Sequence, residues 1–167
     1  SIQNYGRLHL SEKGYRFLGI LVPLLSLVYM NLPRIDFFLS IVLFLIFIIP
    51  AFYFDDLALL KKLLVFYSAE MGLLFLLFLS RADKLLTTGF PYSIDILTLL
   101  LLSAFYIYIR KQIGTEAENR RKLRNTLLIS LLTPLILVPV FRFFLRVPLP
   151  KEGGIVDILF LLYYAIR

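Results

Sequence analysis

Five stretches of the chain are apolar on every side rather than along one stripe. They are residues 17–30 (FLGILVPLLSLVYM), 37–54 (FFLSIVLFLIFIIPAFYF), 63–80 (LLVFYSAEMGLLFLLFLS), 94–109 (IDILTLLLLSAFYIYI) and 126–146 (TLLISLLTPLILVPVFRFFLR). A helix that is hydrophobic all round belongs in lipid, and about 20 residues cross the hydrocarbon layer. The pattern predicts an all-α, polytopic membrane bundle of five spans, forming one domain over 17–167. The alternating segments of about ten residues that build a membrane β-barrel do not occur. A sixth apolar piece, 155–167 (IVDILFLLYYAIR), makes a helix only about 20 Å long. It is expected to be tilted, re-entrant, or a sixth span cut short where the sequence stops.

Polar punctuation sets the connections. Residues 1–16 are polar and basic, too poor in apolar residues for a signal peptide, and predict an interfacial segment in which Ser11 caps a helix. NLPRID (31–36) predicts a tight turn that makes the first two spans an antiparallel hairpin. DDLALLKK (55–62) predicts a short amphipathic turn, and 81–93 an exposed loop. The basic segment 110–125 predicts a loop whose later part is helical, with Glu116/Arg120 and Glu118/Lys122 paired at i,i+4. VPLPKEGG (147–154) breaks the fifth span from the last piece, and Pro23 is expected to kink its span rather than end it.

Composition strengthens the membrane reading. Of 167 residues, 60% are hydrophobic and only 17% charged, where soluble domains are about 45–50% apolar. The net charge of +7 sits at span ends, which fits the positive-inside rule and anionic lipid headgroups better than nucleic acid. Arg7, Lys13 and Arg16 are separated by four spans from the six cations of 110–125. Both groups therefore fall on one side, assigned to the cytoplasm, with the inner membrane of a bacterium as the expected location.

The chemistry available is narrow. There are no cysteines and one histidine, His9, so disulfides, thiolate sites, bis-histidine haem and histidine-cluster metal sites within the chain are excluded. No metal and no other cofactor is expected. Gly-x-Ser-x-Gly, His-Glu-x-x-His, the P-loop and G-x-G-x-x-G are all missing, which argues against an enzyme.

Glu70 is the sharpest candidate. It lies in VFYSAEMGLLF with Tyr67, Ser68 and Gly72 beside it, at a depth where an ionised carboxylate facing lipid costs at least ~2.5–3.5 kcal/mol. It therefore serves helix packing, or binds an ion or proton. Arg142 and Arg146 are four apart and, with Lys151, predict an anion or lipid-phosphate clamp at the outer interface. Snorkelling beside Phe141, Phe143 and Phe144 is the plainer alternative. Asp95 and Asp157 each sit one turn inside an apolar helix. Asp157 is a possible charge partner for Arg142 or Arg146, although the helix macrodipole alone accounts for both acids. Asp55-Asp56 with Lys61-Lys62 reads as a solvated turn, with a Mg²⁺ pair as the sharper option.

Three functions remain. The first is a non-enzymatic membrane subunit that packs against a partner protein or a second copy of itself. The second is a small transporter or channel using Glu70 and the outer arginines. The third is a membrane enzyme that binds lipid phosphate.

Overall fold

The computed structural model describes residues 11–114 and 116–166. The expected interfacial residues 1–10, with Arg7 and His9, lie outside them. Helix α1 (Glu12–Ser26) continues through a π turn at Leu27–Asn31 into the short α2 (Leu32–Arg34). Then come α3 (Phe37–Tyr53), α4 (Leu57–Leu79), α5 (Ala82–Gly89), α6 (Ser93–Ile113) and α7 (Ala117–Pro139). A second π turn, Val140–Phe144, extends α7, and α8 (Gly154–Ile166) follows. There is no strand among the described residues.

Four helical stretches are long and apolar enough to cross a membrane: Glu12–Arg34, Leu57–Leu79, Ser93–Ile113 and Ala117–Phe144. Two of the six expected pieces are shorter. Helix α3 has 17 residues, roughly 26 Å at 1.5 Å per residue, and α8 has 13.

Several boundaries differ from the expectation, at helix starts and connections in the direction of more helix, while the fifth span ends at Phe144 rather than 146. The first span starts at Glu12 because Ser11 accepts the Gly14 N–H at 3.3 Å, as its N-cap role requires. The expected turn at 31–36 shrinks to Ile35 and Asp36, since the helix runs on to Arg34. The supposed amphipathic turn at 55–62 is the start of α4, capped by Asp56, which accepts the Ala58 N–H at 2.8 Å. Within 81–93 the chain forms α5. The basic loop of 110–125 is mostly the ends of α6 and α7, separated at Gly114, whose φ of +81° suits glycine.

Both π turns follow prolines. The first begins four residues after Pro23, where the N–H of Leu32 reaches back five positions to the Leu27 carbonyl. Directly after Pro139, Leu145 does the same to Val140 at 2.9 Å. A proline removes one ladder donor, and single π turns occur within α-helices. After the first π turn the helix continues as α2, and after the second it ends at Phe144.

Helix α3 is the hub, packed against α1, α4, α6, α7 and α8. Its partner α7 buries Leu123, Thr126, Ser130, Pro134 and Val138, spaced three or four apart so that they form one stripe. Phe47, Tyr67 and Phe105 join α3, α4 and α6 with ring centroids 4.7–6.1 Å apart. Outward-facing Val65, Leu76, Leu79, Leu100 and Ile136 are each more than half exposed. A surface of this kind suits lipid, where packing and interhelical polar contacts hold helices together.

Candidate functional site

Two polar regions lie inside this apolar shell. At one end, the N-termini of α3, α6 and α8 converge. Asp36 caps α3 in the ordinary way: its Oδ1 accepts Phe38 N–H at 2.8 Å and Leu39 N–H at 3.2 Å. Its Oδ2 accepts Gly153 N–H and Val156 N–H, each at 3.1 Å, at the start of α8. One carboxylate thus serves two helix starts. Asp95 adds to the knot, accepting Gly154 N–H at 2.9 Å and Asp36 N–H at 3.4 Å.

Gly153 is required by this arrangement. A Cβ there would stand 2.7 Å from Asp36 Cβ and 2.7 Å from Asp95 Oδ2. Burial, the largest influence, raises the Asp36 carboxyl above its ordinary range, and nearby Asp95 adds to this; the N–H bonds act the other way. The Tyr92 hydroxyl donates to Asp157 Oδ2 at 3.2 Å, which raises the Tyr92 pKa.

The three cations of the expected outer clamp lie beside this region, each in a different setting. Arg142 lies in the second π turn and pairs with Glu152 at 3.1 Å, its guanidinium 5.4 Å from the Phe160 ring centre. Helix ends at Phe144, and Arg146 follows in a left-handed conformation with φ +55°. The two arginines therefore do not share a helix face. Lys151 Nζ donates to the Arg34 carbonyl, while the Lys151 carbonyl accepts Phe37 N–H at 3.1 Å. Asp157 bonds Tyr92 rather than either arginine, and Asp95 bonds backbone of other elements rather than its own helix.

The second region is within the bundle. Glu70 is 6% exposed, Tyr67 and Leu74 are buried on the same face of α4, and Asn31 is fully buried at the end of the first π turn. The Tyr67 hydroxyl faces the Asn31 amide and Glu70, with the Asn31 approach falling outside hydrogen-bond geometry. Both Glu70 oxygens, both polar atoms of the Asn31 amide and the Tyr67 hydroxyl are buried without a hydrogen-bond partner among the described residues. Ser68 and Gly72 point elsewhere: both are exposed on the outer side of α4, and no atom comes within 4 Å of a Cβ built on Gly72. The polar stripe around Glu70 is thus split between the two sides of its helix.

At the opposite, basic end, Arg16 pairs with Glu12 at 3.0 Å and with Asp55 at 2.8 Å, and Lys122 pairs with Glu118 at 2.7 Å. Arg16–Asp55 links the start of α1 to the end of α3. The Asp55-Asp56 pair is divided between this bridge and the α4 cap, and no group of metal-holding side chains occurs among the described residues.

Asn31, Asp36 and Gly153 are the residues that sequence reasoning passed over. An Asp immediately before FFLS is an N-cap signal, but its second partner lies 117 residues away. No family model, no curated protein and no solved structure matches the chain.

Proposed function

We propose that the chain is a multi-pass membrane protein of transporter or channel type that takes up a proton or monovalent cation at Glu70, Tyr67 and Asn31. The observation that carries this reading is the group of five unpartnered polar atoms inside the bundle. Each costs several kcal/mol in an apolar medium unless something satisfies it. A carboxylate, an amide oxygen and a phenol oxygen suit a small cation or its water, and a lone carboxyl suits a proton. The protein spans the bilayer five times in this reading, with α3 as the short, protein-wrapped crossing and α8 as a partial helix folded back onto it. Positive-inside bias places the basic α6–α7 end in the cytoplasm.

The test is cation and proton flux in proteoliposomes. Glu70→Gln, which keeps shape and removes charge, is expected to lower flux at least tenfold. Flux that is unchanged in rate and pH dependence removes Glu70 from the mechanism.

A second reading, a subunit that packs against a partner helix, has its own observation. A groove of about 370 Å³ runs between α1 and α4, lined by Ser26, Tyr29, Met71, Gly72 and Phe75 among others. Small residues on a lipid-facing surface admit close helix approach. Gly72→Phe is expected to release a co-purifying partner or a second copy, read by size-exclusion mass in detergent; an unaltered mass overturns this reading.

A further inference from the structure

The ends of α6 and α7 enclose a cleft of about 540 Å³ that none of the regions above uses. We infer that this cleft is a binding site for one anionic phospholipid, held by its phosphate on Arg110, Lys111 and Arg120. The inference goes beyond the cation site and stands apart from Glu70.

Three observations carry it. Arg110, Lys111 and Arg120 all line the cleft and are exposed, and none of them belongs to an ion pair among the described residues. At the same end Arg16 and Lys122 hold carboxylates, whereas the three cations that line the cleft hold none and face an outside anion. The expected Glu116–Arg120 pair is not made: the Glu116 carboxylate instead accepts from Asn119 Nδ2 at 3.3 Å.

The lining is also ordered by polarity along the helices. Tyr106, Ile107 and Leu123 form the part toward the bundle interior, and the cations form the part toward the helix ends. Tyr106 and Lys111 are five residues apart, about 7.5 Å along the axis. A phospholipid has the same order, charged phosphate outward and glycerol and acyl chain inward. Ile107, in this lining, is exposed on the outer surface of α6. Guanidinium forks match phosphate oxygens bidentately, and lysine adds a point charge. A soluble phosphate would satisfy the cations and leave the apolar wall without a partner.

The test is lipid retention by the full chain in detergent micelles, read by native mass spectrometry. Phosphatidylglycerol, phosphatidylcholine and inorganic phosphate serve as probes. Arg110→Gln/Arg120→Gln is compared with Arg121→Gln/Arg124→Gln, which removes the same charge from the same end outside the cleft. The cleft variant is expected to lose phosphatidylglycerol about 10–30-fold, from roughly 1 kcal/mol per cation, while the control retains it. Equal loss from both variants overturns the site, leaving only a diffuse basic surface. So does equal retention of phosphatidylcholine and phosphatidylglycerol. Displacement of the lipid by millimolar phosphate overturns the lipid as occupant. A thermal unfolding scan of both variants confirms that folding is intact, since all four positions are exposed.

Discussion

Asp36→Ala is expected to lower the unfolding free energy by about 3–5 kcal/mol and to release α8 from the bundle. Four N–H groups depend on this one carboxylate: Phe38 and Leu39 on α3, Gly153 and Val156 at α8. A hydrogen bond to a charged group contributes about 1.5–3 kcal/mol, and a buried donor left unpaired costs about 1–3. The full sum is not reached, because the exposed start of a loosened α8 finds other partners. Asp36→Asn keeps one acceptor oxygen and turns an NH₂ toward the other pair of donors, so it falls between. Gly153→Ala attacks the same junction from the opposite side, through its 2.7 Å clash with Asp36 and Asp95, at the about 1–3 kcal/mol typical of overpacking. Chemical unfolding in detergent measures the loss, and protease cleavage between 147 and 153 reports α8 release. Wild-type stability in Asp36→Ala would show that α8 is held by its apolar contacts alone.

Glu70→Leu is expected to do the opposite and raise stability by about 1–3 kcal/mol. The substitution replaces a buried acid that lacks a partner with an apolar side chain of similar length, and burying an unbonded polar group costs about that much in proteins. Removing a buried ionisable group in favour of apolar packing is often stabilising. The two roles considered for Glu70 predict different signs. If its hydrogen bonds held helices together, Glu70→Leu would destabilise; if it is a site kept at the expense of packing, stability rises while transport is lost. Unfolding of Glu70→Leu beside Glu70→Gln in the same detergent decides between them, and a fall in stability sinks the site reading.

The long apolar runs and the Ser11 cap were readable in the residues themselves, because lipid-facing helices and N-caps are local physics. The boundaries were not, because polar residues near a membrane surface stay helical when a cap or a pair supports them. Asp56 starts α4 six residues before 63, whereas the helical later part of 110–125 and its Glu118–Lys122 pair were legible from i,i+4 spacing. Arg142 and Arg146 failed as a pair for a related reason. Their i,i+4 spacing assumed a continuous helix, and the helix ends in a π turn at Phe144, before Arg146. The inward direction of Glu70 followed from the apolar face it shares with Tyr67 and Leu74. Asn31 as its neighbour depends on how far α1 is carried by its first π turn, which spacing along the chain does not reveal.

The clamp at Asp36 also sets an order of assembly. A ribosome adds about 5–20 residues each second, and Asp36 precedes Gly153 by 117 positions. For about 6–23 s of synthesis the second oxygen of Asp36 has no backbone partner from α8. The hub helix is therefore made with an incomplete acid at its start, and α8, whose Gly153 follows 117 positions later, is what completes the junction.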